Sequence, residues 1–174
     1  MIVTNRGTTA TPYTYGEHPC FPHPTFAGGR VELEASEAWI PDPSFDPNRA
    51  KLQPGHAFSW PEAPGVNCRR LDLSAMPADR DGRHDHICLK LAQPTIRLGA
   101  PRFGRKLEIE VDLDCTPYVL IWQDFGERGA FAFEPCSAPG RGVEDAIDAG
   151  AVVWLQPGHS FANVVSLRWV NHRR

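Results

Sequence analysis

The sequence predicts an all-β protein, a single antiparallel β-sandwich, from three observations: segments in which apolar and polar residues alternate, short unbroken apolar runs, and turn residues spaced evenly between them. In chain order, the first alternating stretch is 30–35, RVELEA, with Val31, Leu33 and Ala35 on one side and Glu32 and Glu34 on the other. Period two gives a half-buried strand. Residues 41–66 are proline-rich and poorly patterned, which predicts a long excursion over one end of a sheet. The clearest alternation is 105–114, RKLEIEVDLD, where Leu107, Ile109, Val111 and Leu113 interleave with charged residues, as expected of a strand with one wet face. The runs 118–122 (YVLIW), 130–133 (AFAF) and 151–155 (AVVWL) are short and rich in β-branched or aromatic residues, so they predict strands covered on both faces. The segment 159–170 predicts one more strand. The best helical candidate is short, 143–149, with Glu144 and Asp145 in the first turn where the helix dipole favours acids.

Composition agrees. There are 15 Gly and 17 Pro in 174 residues, against roughly one residue in eight in average proteins, and each excess residue of this kind favours a turn. The length suits one domain over residues 1–174. With 18 Lys and Arg against 21 Asp and Glu the net charge is −3, which supplies no general attraction for nucleic acid or acidic membrane. No apolar run approaches the ~20 residues of a membrane helix, and the first residues lack a basic-then-apolar leader, so a soluble cytoplasmic protein is expected. Five cysteines are scattered without a C-x-x-C pair, which predicts neither a disulfide framework nor a zinc ribbon.

Three motifs carry candidate chemistry. In Gly16-Glu17-His18-Pro19-Cys20-Phe21 the proline keeps His18 out of a helix and holds it extended at a strand end, and a histidine's ordinary pKa of ~6.5 suits proton donation near neutrality. In Phe131-Ala132-Phe133-Glu134-Pro135-Cys136 the glutamate closes an apolar run, where partial burial raises a carboxyl's pKa toward the range useful to a general base. In Arg83-His84-Asp85-His86-Ile87-Cys88-Leu89 alternation puts His84 and His86 on one face and Asp85 on the other. Asp85 there suits bidentate acceptance from neighbouring sugar hydroxyls, while His84 and His86 with a distant His159 give a cupin-like metal alternative. Taken singly, each motif has a plainer reading: a turn histidine, an edge glutamate and a solvated turn.

Together, and in this order, GEHPCF, RHDHICLKL and FAFEPCSAPG, followed by the Leu155-Gln156-Pro157-Gly158 strand opener and preceded by VTNRGTTATPYTYG, resemble the aldose 1-epimerases, also called galactose mutarotases. The resemblance runs from about Val3 to Trp169. It implies a galactose mutarotase-like β-supersandwich that works on a hexose without metal or nucleotide cofactor. It also implies that His18 is the general acid, Glu134 the general base and Asp85 a sugar-binding residue. Aromatic side chains such as Phe21, Trp39, Trp60 and Trp122 are the candidates for stacking on the sugar, with Phe21 and Trp122 assigned to the site.

The resemblance also predicts what is missing. The family's domain is longer, so its N-terminal strands, with an arginine and a first active-site histidine, have no counterpart here. Cys20 stands where the family often has an aromatic residue. A sandwich without those strands leaves an edge and an apolar face uncovered, which predicts a homodimer or a covering partner. A non-catalytic carbohydrate-binding module of the same fold is the alternative to the isomerase.

Overall fold

The computed structural model describes residues 1–140 and 142–171. Among these residues, ten strands form two antiparallel sheets. The larger has six strands in the order Cys20–Pro22, Ala130–Cys136, Tyr118–Asp124, His84–Leu91, Ala35–Trp39 and Ala57–Phe58. The smaller has four, in the order Ser166–Asn171, Arg105–Glu110, Thr95–Ala100 and Val31–Glu32. Three short ribbons lie outside them: Ile2–Thr4 with Ser160–Ala162, Thr11–Tyr13 with Val153–Leu155, and Glu62–Pro64 with Arg70–Asp72.

Alternation decides which side chains enter the core. Ile87, Leu89, Val119, Ile121, Phe131 and Phe133 project from one face of the larger sheet, and Ile96, Leu98, Leu107 and Ile109 from the smaller; all are buried in one cluster. Each such side chain contributes about 1.5–3 kcal/mol relative to exposure, so this cluster fixes the register of both sheets. Phe21 belongs to it, packed on Phe26 and Phe131 at ring-centroid distances of 5.8 and 5.6 Å. At one corner the backbone of Gly29 lies against that of Gly99 so closely that a Cβ on Gly29 would sit 2.0 Å from the Gly99 carbonyl oxygen. Only glycine fits there.

The sandwich agrees with the sequence, and several boundaries differ. The stretch 31–35 is not one strand: Val31–Glu32 pairs with Thr95–Ala100 in the smaller sheet, and Ala35–Trp39 pairs with His84–Leu91 in the larger. The chain changes sheet at Leu33 and Glu34, a step that period-two patterning does not register. The strand at 105–114 ends at Glu110, and its wet face is not wet throughout, because Glu108 lies buried beneath Arg97 and Arg168. The run 151–155 keeps only Val153–Leu155 as strand, in a ribbon where Trp154 is exposed rather than covered on both faces. The segment 159–170 divides into Ser160–Ala162 and Ser166–Asn171. The predicted helix is present as Val143–Asp148. All five cysteines are free. Among the described residues no helix is long and apolar enough to cross a membrane.

Candidate active site

The face of the six-stranded sheet turned away from the core carries the other half of each alternating pattern. Across it runs one row of directly opposed residues: Glu134 faces Leu120, Leu120 faces Cys88, Cys88 faces Trp39, and Trp39 faces Ala57. His18 extends the row by one place. The chain pairs with Ala130–Cys136 in the same register on both sides of an interruption, with Gly16 opposite Cys136 and Cys20 opposite Ala132, so His18 falls opposite Glu134. Pro19, having no N–H, breaks the ladder beside it and leaves the histidine at a strand end, as the sequence predicts.

This row floors a cavity of about 690 Å³, within the range of small-molecule sites. His86, from the next row, also reaches it. The proline-rich excursion supplies a wall through Pro41, Asp42, Phe45 and Gly55, and Phe45 lies over His86 with ring centroids 4.0 Å apart. Gly140 and Asp145, the latter on the short helix, complete the lining. A Cβ on Gly140 would meet Asp145 Cβ at 2.8 Å, and its φ of +106° is open to glycine alone.

At one end of the cavity His18 Nε2 lies 3.0 Å from Glu134 Oε1. The two side chains differ in exposure, 59% for His18 and 15% for Glu134. Burial raises the proton affinity of the Glu134 carboxyl, and the charge of His18 works in the opposite direction with smaller effect. On its other side His18 Nδ1 meets the Cys20 thiol at 3.2 Å. The arrangement joins one proton donor and one acceptor on a concave surface, as acid-base chemistry on a bound small molecule requires.

The structure brings His18 and Glu134 together, with Trp39 farther along the same row and Trp122 beside them. The Trp122 ring centroid is 6.3 Å from that of His18, its indole N–H donates to His84 Nε2 at 2.9 Å, and the Arg128 guanidinium lies 5.7 Å from its ring. Asp85 and Phe21 lie elsewhere. Parity sends Asp85 away from the cavity face, where its carboxylate accepts the backbone N–H groups of Lys51 and Leu52, each at 3.1 Å. Phe21 is core, for the same reason of parity, and Trp60 packs at the edge of the core. His84 does not open onto the cavity: its Nε2 accepts from Trp122, and its Nδ1 lies 3.1 Å from Asp46 Oδ2. Among the described residues no three His, Cys, Asp or Glu side chains are grouped so as to hold one ion, so the His84, His86 and His159 set is not assembled.

The sequence reading missed Asp42, Phe45 and Asp145, and weighed His86 only as a metal ligand. Parity within His84–Leu91 identifies His86 once the cavity face is known. Asp42 and Phe45 lie in a segment with no period, and nothing local marks them.

No protein-family model matches the sequence, and no curated protein matches it either. Solved structures do match. A galactose mutarotase-like protein from Clostridium acetobutylicum superposes with a TM-score of 0.67 at 18% identity, over 98% of this chain and 51% of that one. A chain from Escherichia coli K12, provisionally named an aldose 1-epimerase, gives 0.66 at 21%, over 97% and 54%. The Slr1438 protein of Synechocystis sp. PCC 6803 gives 0.67 at 17%, over 97% and 48%. The fold is a galactose mutarotase-like β-sandwich. The chain spans about half the length of these neighbours.

Proposed function

We propose that the protein is an aldose 1-epimerase-like isomerase that interconverts the α and β anomers of a hexose by general acid-base ring opening. The observation that carries this reading is the 3.0 Å contact of His18 Nε2 with Glu134 Oε1 in the wall of the cavity. The Glu134 carboxylate removes the proton of the anomeric hydroxyl while His18 protonates the ring oxygen. The bond between the ring oxygen and the anomeric carbon breaks, and the anomeric carbon becomes an aldehyde. Rotation about the adjacent carbon–carbon bond turns the other face of the aldehyde to the hydroxyl. Reclosure then returns the proton on Glu134 to the new anomeric hydroxyl and the proton of the attacking hydroxyl to His18. On binding, the sugar replaces the direct His18–Glu134 contact with one contact to each group. Trp39, in the cavity lining, offers an apolar face for a pyranose, whereas Trp122, with Arg128 over its ring, lies beside His18 but outside that lining. In this reading residues 1–174 form one domain, and the proton transfers are carried by His18 and Glu134 without a metal or nucleotide.

Polarimetry of freshly dissolved α-glucose or α-galactose tests the proposal. The wild type accelerates mutarotation, and Glu134→Gln and His18→Asn each lose about 10²–10⁴-fold of the acceleration. A likeness of fold at 17–21% identity fits equally a second reading, a sugar-binding module without turnover. Saturable sugar binding by calorimetry at the uncatalysed mutarotation rate decides for the module. We further propose that a second copy of the chain covers the open edge of the sandwich.

A further inference from the structure

We infer that the cavity takes two sugar units end to end, so that the hexose whose anomeric carbon meets His18 and Glu134 is the reducing unit of a disaccharide and a second unit lies on Trp39. The inference deepens the isomerase reading and rests on it for turnover. The second subsite itself rests on the dimensions of the cavity.

The floor is too long for one sugar. The directly opposed residues Glu134, Leu120, Cys88, Trp39 and Ala57 stand on five adjacent strands, and all of them line the cavity. Strands lie about 4.8 Å apart, so the spacings between these five give a floor of about 19 Å. A pyranose, built from bonds of about 1.5 Å, spans about 5–6 Å from its anomeric oxygen to the oxygen on the opposite ring carbon. A hexose held at His18 and Glu134 therefore covers Leu120 and stops near Cys88. Ligand sites enclose most of what they bind, and a single hexose leaves the far half of this 690 Å³ cleft to water.

That far half has the parts a sugar subsite needs. Cys88 is buried and has a short side chain, which keeps the floor low between Leu120 and Trp39. Trp39 is packed in a T-shaped contact with Tyr118, ring centroids 6.4 Å apart at 81°, and an indole fixed in this way is a rigid apolar platform. Asp42 stands on the wall beside it. Its neighbour there is Gly55, whose N–H donates to the carbonyl of Ile40, the residue after Trp39, at 3.0 Å. A carboxylate so placed accepts hydrogen bonds from sugar hydroxyls. The acid-base pair sets the direction of the ligand. The anomeric carbon has to be free at His18 and Glu134, so the second unit is joined through one of the other hydroxyls of the first, on the side toward Trp39. A reducing disaccharide meets that condition.

Polarimetry of the full chain tests this with freshly dissolved α-lactose, β-maltose and β-cellobiose beside α-glucose, the hexose at the reducing end of all three. For at least one disaccharide KM is about tenfold lower than for glucose at similar kcat, because the added binding comes from a part of the substrate that does not react. Trp39→Ala and Asp42→Asn each reduce this preference about threefold or more, and Trp39→Phe keeps most of it. Asp42 is exposed on a loop, so its variant tests the subsite even where Trp39→Ala fails to fold. A KM for all three disaccharides equal to or above that for glucose overturns the proposal, as does a preference that Asp42→Asn and Trp39→Ala leave unchanged. No acceleration with any sugar defeats the isomerase reading instead. Calorimetry with the same four sugars then decides the subsite: tighter binding of a disaccharide than of glucose upholds it, and equal or weaker binding overturns it.

Discussion

At Glu134 burial raises the carboxyl's proton affinity and the neighbouring imidazole lowers it, with burial the larger effect. The direction has two consequences. Because the base must be ionised, kcat/KM falls as pH drops through a pKa above the ordinary 4.5; a pH–rate profile whose acid limb lies at or below that value contradicts the assignment. The second concerns stability. A carboxyl with a raised folded-state pKa binds its proton more tightly folded than unfolded, so stability decreases as pH rises from the ordinary value through the raised one. At neutral pH the ionised side chain therefore opposes folding, and Glu134→Gln is expected to raise stability by up to about 1 kcal/mol while removing turnover. Thermal melts at pH 7 beside polarimetry check both. Asp85 is the opposite case. It too is buried, with a raised pKa caused first by burial, but its oxygens cap the Lys51 and Leu52 amides and tie the start of the proline-rich wall to the sheet. Asp85→Ala is expected to cost about 2–4 kcal/mol in urea denaturation, because two backbone donors lose their acceptor. Weakened sugar binding by Asp85→Asn at unchanged stability would restore the sugar-contact role that the family resemblance implies.

The smaller sheet shows what an element does with charges that alternation puts on its outer face. Directly opposed residues on four strands read Glu32, Arg97, Glu108 and Arg168. Glu108 is only 4% exposed and takes Arg97 Nε on one oxygen at 2.7 Å and Arg168 Nε on the other at 2.6 Å. Arg168 and then Arg97 hold its carboxyl below the ordinary 4.5, with burial opposing them. A depressed folded-state pKa contributes stability that is present above the unfolded value and lost as pH falls through the folded one. Both arginines remain partly exposed and screened, so Glu108→Gln is expected to cost only about 1 kcal/mol at pH 7. The difference in melting temperature between this variant and the wild type shrinks toward pH 3, and an undiminished difference there assigns the cost to packing. This pairing explains why the alternating stretch around Leu107 buries residues of both parities.

For the molecule as a whole, the edge of the smaller sheet is the open question. Among the described residues Ser166–Asn171 pairs on one side with Arg105–Glu110 and ends the sheet on the other, with Leu167 and Trp169 nearly half exposed. Trp169 is anchored by stacking on Phe26 at 6.1 Å and 7°, so it is a fixed apolar surface beside unpaired backbone. Sedimentation velocity is expected to show a dimer forming as concentration rises through the micromolar range. Introducing Leu167→Lys and Trp169→Lys together should leave a monomer of unchanged secondary structure. A wild type that stays monomeric at the highest soluble concentration excludes the second copy as the covering partner.

Local rules made the sandwich legible, because period two along 105–110 and the apolar runs at 118–122 and 130–133 need only the chain's own neighbours to specify strands. They also marked His18 and Glu134, each a chemically suited residue followed by a proline, although Glu134 lies within the strand Ala130–Cys136 rather than at its end. Placing Asp42, Phe45 and Asp145 around one cavity, and turning Asp85 and Phe21 away from it, depended on tertiary structure. Register between strands distant in sequence is set by the burial of whole faces, and no segment contains that information alone. The sequence by itself determined which residues could exchange protons, through side-chain chemistry and local backbone restriction. Only the fold decided that two of them meet 3.0 Å apart, because both lie on the outward parity of neighbouring strands whose inward parity is locked into the core.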